Sequence, residues 1–151
     1  MDLIGRFQGR FLVTDHVESE IADDYPEQKA GYHAAVAAGL IDMCPLNDLA
    51  ELAIFGRLQP GVLLGAGECS AIAVALARGY AIAMDDGRAI KLARREAELM
   101  GAELVVIRTQ DIMVALINTS ILTVDEADQI KSDWEKNHRF RLKAPSFRNL
   151  L

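Results

Sequence analysis

The stretch from residue 64 to residue 95, LGAGECSAIAVALARGYAIAMDDGRAIKLARR, constrains the fold of this chain more than any other. It predicts an alanine-rich helix that begins near Glu68, then a short apolar strand, and then a second helix that begins after Asp85 and Asp86. In an open α/β sheet, ligands bind in the crevice at the carboxyl ends of the strands. Carboxylates that meet in such a crevice repel each other, and a hard cation such as Mg²⁺ relieves that repulsion. The stretch therefore predicts a carboxylate-rich metal site.

The composition favours one globular domain that spans residues 1–151. The chain has 151 residues, of which 51% are hydrophobic, and a chain of this length buries enough surface for a real core. Its net charge of −6 argues against a protein that coats duplex nucleic acid, but is compatible with one local basic surface. Two cysteines are too few for a disulfide framework, and Arg78 and Gly79 interrupt the longest apolar run. We therefore expect a cytoplasmic protein with no membrane span.

Segments with strand-like and helix-like patterns alternate along the chain. Strands are expected at residues 10–14, 40–44, 80–84 and 103–107, and helices after Asp15 and at residues 26–38, 47–56, 68–79, 88–100, 110–118 and 124–137. Asp15 with Glu18, and Thr123 with Glu126, have the spacing of capping boxes. Residues 138–151 are expected to form an irregular basic tail. Strands separated by helices predict an α/β fold with a central parallel sheet flanked by helices.

Three short motifs, in this order, resemble those of the PIN-like domain family, in particular the bacterial and archaeal group with a Gly-Glu-Ala-Glu-Ala type motif. Residues 14–21, TDHVESEI, are similar to the family's Val-x-x-Glu-hydrophobic element. Gly67-Glu68 with its alanine-rich helix is similar to the Gly-Glu-Ala-Glu-Ala motif, and the Asp85-Asp86 pair after a strand is similar to the next motif. The resemblance covers residues 3–151.

This resemblance implies a three-layer PIN-like fold and a metal-dependent ribonuclease. Glu20, Glu68 and Asp85 match three of the family's acidic catalytic and metal-binding positions, and Asp86 is an adjacent candidate ligand. The implied cofactor is Mg²⁺ or Mn²⁺, and the implied substrate is single-stranded RNA. A toxin of a toxin–antitoxin pair, with an antitoxin protein as its partner, is one role that the resemblance implies.

The family's first strand, which ends in an aspartate, has no counterpart in the chain. Asp2 lies only eighteen positions before Glu20, which is too close for a strand and a full helix between them. The resemblance therefore implies a PIN-like fold whose N-terminal strand is missing. Unpaired backbone groups are costly when buried. We therefore expect one of three arrangements: residues 11–14 and 81–84 pair directly, the chain has a start further upstream, or the protein is a homodimer.

Other interpretations of the same residues stay open. Glu68 could only stabilise a helix N-terminus, Glu20 could be a solvated residue, and Asp85-Asp86-Gly87 could be a turn with a helix N-cap. The alternative function is a catalytically degenerate PIN-fold binding module. A receiver domain is disfavoured, because too few residues follow the acidic pair to complete one.

A basic surface is predicted on the helix at residues 88–100. Arg88, Lys91, Arg94 and Arg95 share a broad face of that helix. Such a face is either simply solvated or contacts the phosphates of RNA, for which Arg88, Lys91 and Arg95 are the candidates. The basic tail could also contact RNA or an acidic partner.

Overall fold

The computed structural model describes residues 4–6, 9–21, 26–59, 64–138 and 140–151. Contacts divide the chain into two compact units. The larger unit comprises residues 8–107, and the terminal unit comprises residues 1–7 together with residues 108–151. The single domain that we expect from composition stays a prediction.

The larger unit alternates short strands with helices, as the sequence predicts. Its elements are β1 (Phe11–Val13), α1 (Asp15–Ser19), α2 (Pro26–Ala37), β2 (Ile41–Met43), α3 (Leu49–Leu58), α4 (Ala66–Arg78), β3 (Ile82–Ala83), α5 (Gly87–Met100) and β4 (Val106–Ile107). Gly79 and Gly101 follow α4 and α5 with φ of +66° and +63°. This left-handed conformation suits glycine and ends both helices where the sequence predicts.

The strands pair in parallel, which confirms the α/β class. Strand β1 pairs with β2, Phe11 opposite Ile41, and β3 pairs with β4, Ile82 opposite Val106. Within the described residues these pairs form two separate two-stranded sheets, so that β1 and β3 do not pair directly. Each strand has only two or three residues, and few ladder hydrogen bonds therefore hold each sheet.

The first helix begins one residue earlier than the predicted cap at Asp15. Thr14 has extended backbone, and its Oγ1 accepts a hydrogen bond from the Val17 N–H at 3.2 Å. Thr14 is therefore the N-cap of α1, and Asp15 is its first helical residue. Threonine and aspartate both favour the N-cap position. Strand β1 ends at Val13, so the extended residue that follows it, Thr14, takes this position.

Helix α4 lies at the centre of the larger unit. Its Cys69, Ile72 and Ala73 are fully buried. The core of this unit consists of Ile54, Ile72, Ala73, Ala75, Leu76, Ile82, Ala93 and Ala97. Because four of these residues are alanines, the helices can approach α4 closely.

Two buried carboxylates tie α3 to its neighbouring helices. Glu51 of α3, only 1% exposed, pairs with Arg78 at the end of α4 and also accepts the N–H groups of Asn47 and Asp48. The hydrogen bond from Arg78 is the main cause that lowers the pKa of Glu51. Arg57 of α3 donates its Nε–H to the buried Glu96 of α5 at 2.8 Å. These contacts satisfy charges that would otherwise be costly to bury.

The terminal unit contains α6 (Thr109–Asn118), α7 (Val124–Asn137) and a short 3-10 turn (Phe147–Asn149). The predicted capping box is confirmed, because Thr123 and Glu126 exchange side-chain and backbone hydrogen bonds at 3.2 and 2.8 Å. The core of this unit consists of Met113, Leu116, Leu122, Ala127 and Phe147. Each helix in the described ranges of the chain is too short or too polar to span a bilayer.

Candidate functional site

The first turn of α4 brings together two of the predicted carboxylates. Its N-cap, Gly65, has no side chain with which to bond the free N–H groups of that turn. Glu68 Oε2 instead accepts the Gly65 N–H at 3.0 Å, and Glu20 Oε1 accepts the Gly67 N–H at 2.7 Å. Glu20 lies 47 positions before Gly67, so that only the fold places both carboxylates at this helix end.

Gly67 leaves the space that the Glu20 carboxylate occupies. A Cβ atom on Gly67 would lie 2.4 Å from Glu20 Oε2 and 2.8 Å from Cδ, and one on Gly65 would lie 3.0 Å from Oε1. Any residue larger than glycine at position 67 would therefore displace the carboxylate. The glycines of the motif allow Glu20 to approach the helix backbone closely.

A pair of buried hydroxyl groups lies beside this contact. Thr14 Oγ1 and Ser70 Oγ are 2.6 Å apart, and Ser70 Oγ donates to the Gly67 carbonyl at 2.7 Å. Sequence reasoning missed both residues. When the Gly-Glu-Ala-Glu-Ala motif is aligned on Gly67-Glu68, Ser70 stands at its second glutamate. That departure is the signal that could have identified Ser70.

The two glutamates produce a negative field at this end of α4. Cys69 is fully buried, and burial is the main cause that raises the pKa of its thiol. The charges of Glu68 and Glu20 raise that pKa further, so both carboxylates act on the same thiol. A concentration of negative charge of this kind favours the binding of a cation.

Asp85 and Asp86 lie between β3 and α5, where both are exposed. Asp86 is the N-cap of α5, and its Oδ1 accepts the N–H groups of Arg88 and Ala89 at 2.8 and 2.9 Å. These backbone hydrogen bonds, that of Ala89 first, lower the pKa of Asp86. The capping role that the sequence left open for this turn is therefore confirmed for Asp86.

The four predicted ligands do not form one metal-binding group in the structure. Among the residues that it describes, no three His, Cys, Asp or Glu side chains are grouped so that they could hold a metal ion. The structure brings Glu20 and Glu68 together at α4, whereas Asp85 and Asp86 precede α5. The catalytic and metal-binding roles of Glu20, Glu68, Asp85 and Asp86 stay predictions.

The basic face of α5 is exposed, as its sequence predicts. Ala89, Ile90, Ala93, Glu96 and Ala97 form the buried side of the helix. Arg88, Lys91, Arg94 and Arg95 are all exposed, and none of them forms an ion pair with another residue that the structure describes. Their guanidinium and ammonium groups could therefore bind an external anion, although their role in RNA binding stays a prediction.

Comparisons with known proteins identify the family. A family model described as "PIN domain" matches residues 1–150. No curated protein and no solved structure matches the chain. The parallel strand pairs and the helices between them are consistent with a PIN-like α/β fold. The chain therefore belongs to the PIN domain family.

Proposed function

We propose that this PIN domain is a ribonuclease that uses Mg²⁺ or Mn²⁺ to cleave single-stranded RNA. Membership of the family supports a nuclease-like fold, and PIN domains generally use divalent metal ions. The observation that carries the proposal is the placement of Glu20 and Glu68, which both bond the first turn of α4.

The donor atoms suit a hard divalent cation. Mg²⁺ is commonly held by one or two carboxylates, with water and substrate phosphates as its other ligands. Glu20 and Glu68 each bond the helix through one oxygen, and the second oxygen of each has no hydrogen-bond partner among the described residues. These two residues would hold the cation, whereas Asp85 and Asp86 are proposed ligands that the structure does not group with them. When bound, the cation stabilises negative charge on the phosphoryl oxygens.

The basic face of α5 would bind the RNA backbone. Arg88, Lys91 and Arg95 are exposed and form no salt bridge with another described residue, although the charge of Arg88 also acts on Asp86. Helix α5 begins directly after Asp85 and Asp86. Contacts from such side chains to phosphates position a nucleic acid without reading its sequence. They would thus supply a local attraction for RNA on a chain whose net charge is −6.

The proposal extends to protein partners and location. We propose a cytoplasmic homodimer, and an antitoxin protein as the partner if the chain is the toxin of a toxin–antitoxin pair. Leu49 and Leu52 of α3 are 84% and 48% exposed, and these two side chains on one helix are the apolar contact that we propose for a partner. Light scattering of the purified chain tests the dimer, and a monomer at micromolar concentration would contradict it.

A cleavage assay tests the ribonuclease. Purified protein with Mg²⁺ or Mn²⁺ should cleave a fluorescent single-stranded RNA, and Glu68→Gln and Asp85→Asn should each abolish cleavage. Glu103→Gln, which removes an exposed carboxylate elsewhere in the larger unit, is the matched control and should cleave normally. Full activity of Asp85→Asn would contradict its place in the site, and an inactive wild type would contradict the function.

The second candidate is a PIN-fold binding module without catalysis. The specific observation in its favour is Ser70, which stands at the motif's second glutamate and whose hydroxyl group already bonds Thr14 and Gly67. Calorimetry with millimolar Mn²⁺ distinguishes the two candidates. No heat of binding favours the module, whereas a binding site that Glu68→Gln removes favours the enzyme.

A further inference from the structure

Helix α1 is held against the start of α4 at both of its ends. It has only five residues, Asp15–Ser19, too few to be stable by itself. Its N-cap, Thr14, contacts Ser70, and its C-cap, Glu20, accepts the Gly67 N–H. The position of the Glu20 carboxylate therefore depends on residues of α4 as well as on its own helix.

The hydrogen bonds between these residues have a defined direction. Ser70 has one hydroxyl proton, which it donates to the Gly67 carbonyl at 2.7 Å. In the 2.6 Å contact with Thr14, Ser70 must then be the acceptor and Thr14 the donor. Thr14 Oγ1 in turn accepts the Val17 N–H. Each buried hydroxyl group thus donates one hydrogen bond and accepts one, and loss of either group leaves a buried partner unsatisfied.

We propose that Thr14, Ser70 and Gly67 are positioning residues that hold Glu20 where it can bind a cation. Thr14 and Ser70 fix the backbone of Gly67, and the N–H of Gly67 fixes Glu20 Oε1. This inference rests on the proposed function, because it gives Glu20 the role of a cation ligand. None of the three positioning residues is itself proposed as a ligand of the cation.

Gly67 offers the most selective test. The atoms that a Cβ there would meet belong to the end of the Glu20 side chain, which is exposed and able to move away. Gly67→Ala should therefore displace the carboxylate and release the C-terminal end of α1, while the rest of the larger unit stays folded. Gly56→Ala is the matched control, because Gly56 also lies within a helix and a Cβ there would meet no atom within 4 Å.

The experiment measures Mn²⁺ affinity by calorimetry and the thermal midpoint of the full chain. Gly67→Ala and Thr14→Val should each weaken Mn²⁺ binding about tenfold or more, whereas Thr14→Ser, which keeps the hydroxyl group, should bind as the wild type does. Both Gly67→Ala and Gly56→Ala should still unfold in one cooperative transition, with a small decrease of the thermal midpoint only for Gly67→Ala. If Gly67→Ala binds Mn²⁺ and cleaves RNA like the wild type, the inference is overturned while the ribonuclease proposal stands.

A second measurement separates failure of the inference from failure of the proposed function. If the wild type neither binds Mn²⁺ nor cleaves RNA, the function fails, and the amide proton resonance of Gly67 still tests the positioning. Glu20→Gln should shift this resonance, because the bond to a charged carboxylate is lost. Ser70→Ala should shift it in the same direction. A Gly67 resonance that Ser70→Ala leaves unchanged would overturn the inference.

Discussion

Single residues of this chain carry charges whose partners lie far away in sequence. Glu51 is nearly inaccessible to solvent and meets Arg78, 27 positions later, together with two backbone N–H groups just before α3. Arg78 is partly exposed and can recover water if its partner is lost. The carboxylate of Glu51 can recover little water if the pair is broken. The stability that the pair contributes therefore depends mainly on Glu51.

We expect Glu51→Gln to lower the free energy of unfolding by about 2 kcal/mol, because a buried charged acceptor is replaced by a neutral one. Urea unfolding measures this change. Asp42→Asn is the control, since Asp42 pairs with Arg10 at an exposed site where an ion pair contributes little. An equal loss in both variants would contradict the special role of the buried pair.

Glu51 also contributes to the pH dependence of stability. The pKa of Glu51 is lowered in the folded chain, so the unfolded state binds more protons near the unfolded pKa of about 4.3. The stabilisation is complete above that pH and is lost as the pH falls through the lower folded pKa. Acid titration of unfolding should show a smaller decrease in stability for Glu51→Gln than for the wild type.

At the scale of elements, one carboxylate fixes the C-terminal segment to α7. Asp128 accepts the Phe147 N–H at 2.8 Å and the Ser146 hydroxyl at 2.6 Å, while Phe147 is buried in the core of the terminal unit. Burial raises the pKa of Asp128, but these hydrogen bonds outweigh it and the net shift is downward. The end of this basic segment is thus anchored by packing and by hydrogen bonds.

We expect Asp128→Ala to lower the free energy of unfolding by about 2 kcal/mol and to speed amide exchange at residues 147–150, because two hydrogen bonds to a charged group are lost. Hydrogen exchange with mass spectrometry measures the effect. Asp125→Ala should change neither quantity, since Asp125 is 90% exposed and reaches Arg148 only at 3.4 Å. Unchanged exchange in Asp128→Ala would show that Phe147 packing alone holds the segment.

For the whole molecule, the proposed binding of RNA would have to overcome a net charge of −6. An electrostatic contact with single-stranded nucleic acid lowers the slope of log affinity against log salt by about 0.7 per phosphate neutralised. Arg88, Lys91 and Arg95 provide such contacts if the basic face of α5 is the binding surface. The salt dependence therefore reports on this face independently of catalysis.

We expect Arg95→Gln to weaken binding of a single-stranded RNA and to reduce the magnitude of the salt slope by about 0.7. Fluorescence anisotropy at several salt concentrations measures both quantities. Arg10→Gln removes the same charge at a site paired with Asp42 and should leave the slope nearly unchanged. If the two variants have equal slopes, RNA does not bind at this face of α5.

The sequence by itself determined the features that depend on neighbouring residues. The stops at Gly79 and Gly101 and the capping box of Thr123 with Glu126 were predictable, because helix ends depend on residues within about four positions. The order of strands and helices followed from hydrophobic patterns in the same way. It was enough to predict the parallel α/β class.

Only the tertiary structure decided which distant groups meet. No local pattern indicates that Glu20 bonds Gly67 or that Thr14 bonds Ser70, 56 positions apart, because such contacts depend on how α1 packs against α4. The division of the described strands into two pairs is likewise a property of packing, because strands of two or three residues specify no partner by themselves. The sequence thus named the carboxylates of the candidate site, and the fold decided which of them share a helix end.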